Sequence, residues 1–226
     1  VIDSGQWWTL LTSMFMHGGI FHLLVNMFSL FFIGSFCEQL IGRKRFLGIY
    51  FLSGILAGLI FIAGAYAGSN ISWGHQVLGG IDTYAVGASG ALFGILGILA
   101  VLIPRYRVYL ITGPIILFII LAMLDAFPSS LPLLIISSIL NILLIVMVFS
   151  LFLPLKSLQK ISLPLALPMW VAPIVAIVPL VLLSFTIELP IGNSAHLGGL
   201  IVGLIYGVFL RLKYPQKMLL LKRFFK

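Results

Sequence analysis

Long apolar stretches separated by short polar segments dominate the sequence. The apolar runs cover residues 20–41, 46–67, 86–103, 108–124, 131–153, 168–187 and 195–210. Each run is near the length of about 20 residues that an α-helix needs to cross the hydrocarbon core of a bilayer. The pattern therefore predicts an all-α fold, a polytopic transmembrane helical bundle with about seven spans.

The composition agrees with a membrane protein and excludes an ordinary soluble domain. Apolar residues make up 62% of the chain, charged residues make up 8%, and the mean hydropathy is +1.24. No soluble core needs so high an apolar content. The single cysteine, Cys37, lies inside an apolar run, so no internal disulfide is possible.

The basic residues indicate how the chain lies in the membrane. The net charge of +8 would suggest nucleic acid in a soluble domain, but all 13 Lys and Arg residues lie in alternate loops or after the last run. Because positive charge is retained on the cytoplasmic side, we predict cytoplasmic basic loops and a cytoplasmic C-terminus in the cell membrane. Residues 1–19, 68–85, 125–130 and 188–194 should face outward. The expected partner of the charges is the anionic lipid bilayer and not nucleic acid.

Two glycine-rich segments carry the candidate chemistry. Ser89 begins one apolar run and His196 begins another, and the predicted topology puts both near the outer surface. Serine becomes a nucleophile when a neighbouring base accepts its proton, and imidazole is the usual base. Glycines at short spacing follow each residue and would let the two helices approach closely. The alternative is that the glycines only pack helices and the serine is inert.

Polar side chains in the first span form a second candidate group. His22 and Asn26 are four residues apart, so they share one face of the helix at its outer end. Polar groups at membrane depth are costly and turn toward protein or water. They either hydrogen-bond to neighbouring helices or donate to the oxyanion that forms when a carbonyl is attacked. His75 has no metal-ligand spacing to other His or Cys residues, and we expect neither a metal nor another cofactor.

These motifs together resemble the rhomboid family of intramembrane serine proteases. They are His17, His22-x-x-x-Asn26, Glu38-x-x-x-Gly42, Gly87-x-Ser89-Gly90, and Ala195-His196 with the glycines that follow. The resemblance implies a Ser–His dyad that cleaves transmembrane protein substrates near the outer membrane face. Ser89 would be the nucleophile, His196 the general base and then acid, and His22 and Asn26 the oxyanion donors. Gly87 would let the substrate backbone approach, and Phe93 would support the base by packing where relatives have a tyrosine.

The chain also departs from the family pattern. Thr9 stands where an arginine follows tryptophan in the family's first outer loop, and the first family helix is expected to be missing from these 226 residues. Three apolar runs lie between Ser89 and His196 where the family core has one, which implies an extra pair of spans within 108–187. We expect the run at 168–187 to be the substrate gate. The predicted domains are a rhomboid-like transmembrane domain, 1–212, and a basic cytoplasmic tail, 213–226.

Two other functions compete with a protease. A catalytically inactive rhomboid-like protein that binds membrane clients would be expected to have lost the serine or the histidine, and both are present. A transporter with discontinuous helices would be expected to carry charged residues or paired broken segments at mid-membrane, and neither is visible. The sequence carries no signal for an oligomeric state.

Overall fold

A computed structural model describes residues 5–124, 127–128, 130–150, 164–185 and 192–224. The chain divides into two compact units. The first contains Val1–Tyr106 and Pro168–Lys226, and the second contains Arg107–Leu167.

The first unit begins with helices joined by short turns. In chain order they are α1 (Thr9–Thr12), a 3₁₀ turn (Ser13–Phe15), α2 (Ile20–Ser29), a π-helical turn (Leu30–Gly34), α3 (Ser35–Ile41), α4 (Arg43–Gly68), α5 (Gly74–Leu78) and α6 (Ser89–Leu102). The segment from α2 to α3 is one continuous span. It ends at Gly42, whose φ of 86° lies in the left-handed region that favours glycine at the end of a helix.

In the second unit, the described residues form two strands and two helices. They are β1 (Arg107–Ile111), α7 (Thr112–Leu124), α8 (Leu131–Phe149) and β2 (Pro164–Pro168). The strands pair with each other in a two-stranded sheet, and α7 packs against α8. The chain then returns to the first unit with α9 (Ala172–Ser184), α10 (Asn193–Lys213) and α11 (Pro215–Phe224).

Each of the seven apolar runs contains a helix, so the predicted helical membrane bundle is confirmed. Among the described residues, 4 helices are long and apolar enough to cross a membrane: His22–Ile41, Arg43–Gly68, Leu131–Phe149 and Asn193–Lys213. The helices α6, α7 and α9 are shorter, with 14, 13 and 13 residues. At 1.5 Å per residue, α6 is only about 21 Å long, less than the thickness of the hydrocarbon core.

The predicted span at 108–124 was wrong at its start, because residues 108–111 belong to strand β1. The run at 168–187 likewise begins in strand β2, and its helix starts at Ala172. A short run of Val, Tyr, Leu and Ile fits a buried strand as well as a helix, so hydrophobicity alone did not separate the two.

Helices α4, α6 and α10 form the core of the first unit, and glycines bring α6 and α10 together. A methyl group at Gly199 would overlap the carbonyl oxygen of Gly90, and one at Gly203 would overlap that of Gly94. The backbones therefore touch with no side chain between them. Contact of this kind is how helices gain packing energy in lipid, where burial of apolar side chains gives little advantage.

Helix α4 packs against the same pair with small side chains of its own. Ala57 lies against Gly90, and Ser53 lies against Gly94. Ser53 is fully buried, and its hydroxyl donates to the carbonyl of Ile49 at 2.6 Å. Since this hydrogen bond stays within α4, the polar group is satisfied without widening the contact between the helices.

A methyl group added at Gly199 tests the close contact. We expect Gly199→Ala to reduce the free energy of unfolding by about 1–3 kcal/mol, because the new carbon forces α6 and α10 apart. The matched control is Gly48→Ala in α4, where an added Cβ meets nothing within 4 Å. Thermal unfolding in detergent measures both variants, and equal melting temperatures for the two would contradict the close contact.

Candidate active site

Ser89 lies at the first position of α6, directly after a tight turn. Gly87 has a φ of 114°, a conformation that other residues rarely adopt. Its N–H donates to the carbonyl of Ser13 at 2.9 Å, which ties the turn to the N-terminal loop. The first N–H groups of a helix have no partner within that helix, so the half-buried Ser89 hydroxyl sits beside free backbone donors.

His196 lies in the first turn of α10 and faces Ser89. Its side chain is 8% exposed. The Oγ of Ser89 lies 2.8 Å from the Nε2 of His196, which is hydrogen-bond distance. The structure therefore brings together the hydroxyl and the imidazole that the sequence singled out, at the ends of two helices joined by their glycines.

The second ring nitrogen of His196 bears on how its ring is held in place. Its Nδ1 is buried and has no hydrogen-bond partner among the residues that the structure describes. When Nε2 accepts the hydrogen bond of the Ser89 hydroxyl, Nδ1 is the nitrogen that carries the hydrogen of the neutral ring. Among the described residues no carboxylate bonds to this nitrogen, and packing orients the ring.

Phe93 supplies that packing. It lies four residues after Ser89, on the same face of α6. Its ring stacks on the imidazole of His196, with centroids 4.6 Å apart and planes inclined by 28°. The contact fixes the plane of the imidazole while leaving Nε2 directed at the serine.

Asn193 and Ser194, to which the sequence alone assigned no function, anchor the start of α10. The hydroxyl of Ser194 donates to the carbonyl of Leu78 at 2.6 Å, and the amide of Asn193 donates to the hydroxyl of Ser184 at 3.2 Å. Both anchoring side chains are buried. The signal in the sequence was two polar residues that favour helix starts, directly before the histidine.

His22 and Asn26 line the turn that precedes Ser89. A Cβ on Gly87 would lie 2.9 Å from the Nε2 of His22 and 3.4 Å from the Nδ2 of Asn26. Asn26 is 3% exposed, and its amide donates to the carbonyl of His22 at 3.0 Å. An amide nitrogen has two hydrogens, so this bond leaves one of them for another acceptor.

His17 completes this side of the site. Its ring meets the ring of His22 edge-on, with centroids 5.3 Å apart, and the Nδ1 of His22 accepts the N–H of Gly18 at 3.4 Å. These contacts direct the Nε2 of His22 toward Gly87. Within the described part of the chain, no group of three or more His, Cys, Asp or Glu residues could hold a metal ion.

Comparisons with known proteins identify the family of the chain. The Rhomboid domain family model matches residues 4–152, a range that contains His22, Asn26 and Ser89. His196 lies beyond the matched range, so its assignment depends on the distance to Ser89. No solved structure matches the chain.

The similar proteins include proteases and an inactive relative. RHOMBOID-like protein 5 of Arabidopsis thaliana is 36% identical over 110 residues, which cover 48% of this chain and 31% of that protein. Rhomboid protease GluP of Bacillus subtilis (strain 168) is 36% identical over 100 residues, 44% of this chain and 16% of that protein. Inactive RHOMBOID-like protein 8 of Arabidopsis thaliana is 43% identical over 60 residues, 26% of this chain and 17% of that protein. The chain thus spans less than half the length of these relatives.

A side chain at Gly87 tests the turn before Ser89. We expect Gly87→Ala to reduce the free energy of unfolding by about 1–3 kcal/mol, because the left-handed backbone is strained with a Cβ and the carbon presses on His22. Gly19→Ala is the control, since Gly19 is extended with a φ of 168° and has open space around it. Thermal unfolding measures both, and a Gly87→Ala protein as stable as the control would refute the described turn.

Proposed function

The chain belongs to the rhomboid family, and from that premise we propose that it is an intramembrane serine endopeptidase. It cleaves transmembrane-segment substrates near the outer membrane face. Ser89 is the nucleophile, and His196 is the general base and then the general acid. The observation that carries the proposal is the 2.8 Å separation of the Ser89 Oγ and the His196 Nε2.

The reaction proceeds in two stages. The Nε2 of His196 accepts the proton of the Ser89 hydroxyl while Oγ attacks the peptide carbonyl carbon, and the carbonyl electron pair moves onto oxygen. His196 then donates this proton to the leaving amine as the C–N bond breaks, which leaves an acyl group on Ser89. In the second stage His196 takes a proton from water while the water oxygen attacks the acyl carbon, and His196 then donates this proton to the Oγ of Ser89 as the acyl C–O bond breaks, which restores the hydroxyl and the neutral imidazole.

The oxyanion requires donors on the side of the turn. The backbone N–H of Ser89 and the remaining amide hydrogen of Asn26 are suited to it, and His22 would donate from its Nε2 when that nitrogen carries a hydrogen. The N-terminus of α6 adds the positive end of the helix dipole. Removal of one such donor typically reduces kcat by about 10²–10³-fold.

The short length of α6 supports cleavage below the membrane surface. A helix of about 21 Å cannot reach both faces of the hydrocarbon core, so Ser89 can lie beneath the outer rim. Water must reach the acyl group at that depth, and the polar side chains of His22, Asn26 and His196 suit a wet cavity. The transmembrane substrate is the partner, and the chemistry needs no metal or cofactor.

Replacement of the nucleophile tests the proposal. We expect Ser89→Ala to abolish cleavage of a reporter protein with one transmembrane helix, and to abolish covalent labelling by a fluorophosphonate probe. Ser69→Ala is the matched control, because the Ser69 hydroxyl is exposed and contacts only the carbonyl of Tyr66 in the described structure. Gel analysis of the reporter and of the labelled protein measures both variants.

A Ser89→Ala protein that still cleaves the reporter would disprove the assignment of the nucleophile. If instead the unmodified protein neither cleaves nor labels but is captured with the reporter, the inactive client-binding alternative would replace the protease. The presence of both Ser89 and His196 at hydrogen-bond distance favours the protease over the inactive alternative.

Removal of the Phe93 ring tests whether it supports the His196 imidazole. We expect Phe93→Ala to lower kcat about 10–100-fold with little change in KM, because a tilted imidazole no longer meets the serine proton in line. Phe93→Tyr, which keeps the ring, should retain most of the activity. The control Phe209→Ala removes an exposed ring from α10 that stacks on Tyr206. Steady-state kinetics measure kcat and KM of each variant. An unaffected kcat in Phe93→Ala would rule out support of the His196 imidazole by this ring.

A further inference from the structure

A cavity lies at the basic end of the first unit, at the opposite ends of α6 and α10 from Ser89 and His196. Its volume is about 370 Å³, within the range of small-molecule sites. The residues that line it include Arg105, Arg211, Trp170, Met218, Leu102 and Pro104. None of these residues has a part in the proposed reaction.

Backbone hydrogen bonds fix one wall of the cavity. The N–H of Trp170 donates to the carbonyl of Pro104 at 3.2 Å, and the N–H of Met169 donates to the carbonyl of Tyr106 at 2.8 Å. The Met169 side chain is 1% exposed and holds this turn in the core. Arg211 comes from the last turn of α10, and α11 supplies Met218. The segments that form the cavity are therefore held in place by backbone hydrogen bonds and by the buried Met169 side chain.

The two arginines in the cavity lack partners. Among the described residues, neither guanidinium has a hydrogen bond or an ion pair, and no carboxylate lines the cavity. Arg45, at the same end of the unit, differs because it donates to the hydroxyl of Tyr214 at 3.0 Å and to the carbonyl of Ile41 at 3.3 Å. Both arginine side chains are exposed, so an anion can reach them from solvent or lipid. Phosphate fits the planar fork of a guanidinium group.

We propose that this cavity binds the phosphate of an anionic glycerophospholipid headgroup. Phosphate is also available as a free ion, but the rest of the lining favours lipid. Trp170 is 54% exposed, as is typical of tryptophan at a membrane interface, and the partly exposed Val101 and Met218 add apolar surface for the glycerol and upper acyl chain. The predicted topology puts this end of the unit in the cytoplasmic leaflet, where anionic lipids are concentrated.

The bound lipid would join the ends of the two helices that carry the dyad. Arg105 follows the end of α6, and Arg211 lies on α10. A phosphate held by both would oppose their separation at the inner face. Binding is nevertheless independent of catalysis, so it is testable even in a protein with no protease activity.

Lipid titration of the full purified chain in a non-ionic detergent tests the proposal by native mass spectrometry. We expect one molecule of dioctanoyl phosphatidylglycerol to bind at least about tenfold more tightly than dioctanoyl phosphatidylcholine, which carries the same chains without net charge. The double variant Arg105→Gln/Arg211→Gln should lose this preference. The matched control Lys213→Gln/Lys217→Gln removes the same charge from the same end of the unit and should keep it. Arg105→Lys/Arg211→Lys keeps the charge without the fork and should lose part of it.

Three results would overturn the proposal. The first is equal binding of the two lipids by the unmodified protein. The second is an equal loss of preference in the arginine and lysine double variants, since that would mean general attraction to a basic surface. The third is displacement of phosphatidylglycerol by millimolar inorganic phosphate, which would make the site one for the free ion.

Discussion

The contact between the backbones of α6 and α10 is the constraint on which the rest of the structure depends. A serine side chain is short, so its oxygen reaches an imidazole on another helix only if the two backbones nearly touch. Gly90 against Gly199 and Gly94 against Gly203 provide that approach. The same contact is also the main source of packing energy between these helices, because the surrounding lipid is as apolar as the side chains. Helix packing and the proposed chemistry therefore both require glycine at these positions.

The rest of the first unit holds this pair in register. Helix α4 covers one side with Ser53 and Ala57, which are small enough to follow the glycines. The loops fix the ends, because Ser13 accepts the N–H of Gly87 and Ser194 donates to Leu78. The polar groups of the site are thus held mainly by the backbone of segments distant in the sequence. The proposed Ser–His dyad is compatible with this arrangement, since the ring of Phe93 and the packed helix ends orient the imidazole of His196.

Features that follow from a pattern along the chain were predicted from the sequence, and features that depend on contacts between distant residues were missed. Apolar length predicted the helices, and the glycines after Ser89 and His196 predicted a close pair of helices. Strand β1 was missed because residues 107–111 suit either conformation until their pairing with β2 is known. The anchoring bonds of Asn193 and Ser194 were missed because their partners, Ser184 and Leu78, cannot be identified from spacing. The membrane orientation, the gate at 168–187, the domain bounds and the catalytic roles of the site residues stay predictions, those of Ser89 and His196 included.

The π-helical turn at Leu30–Gly34 separates the first span into two halves with different phase. A π turn accommodates one residue more than an α turn, so the faces above and below it differ by about 100° from those of a regular helix. The four-residue spacing that aligns His22 with Asn26 therefore does not extend to Glu38.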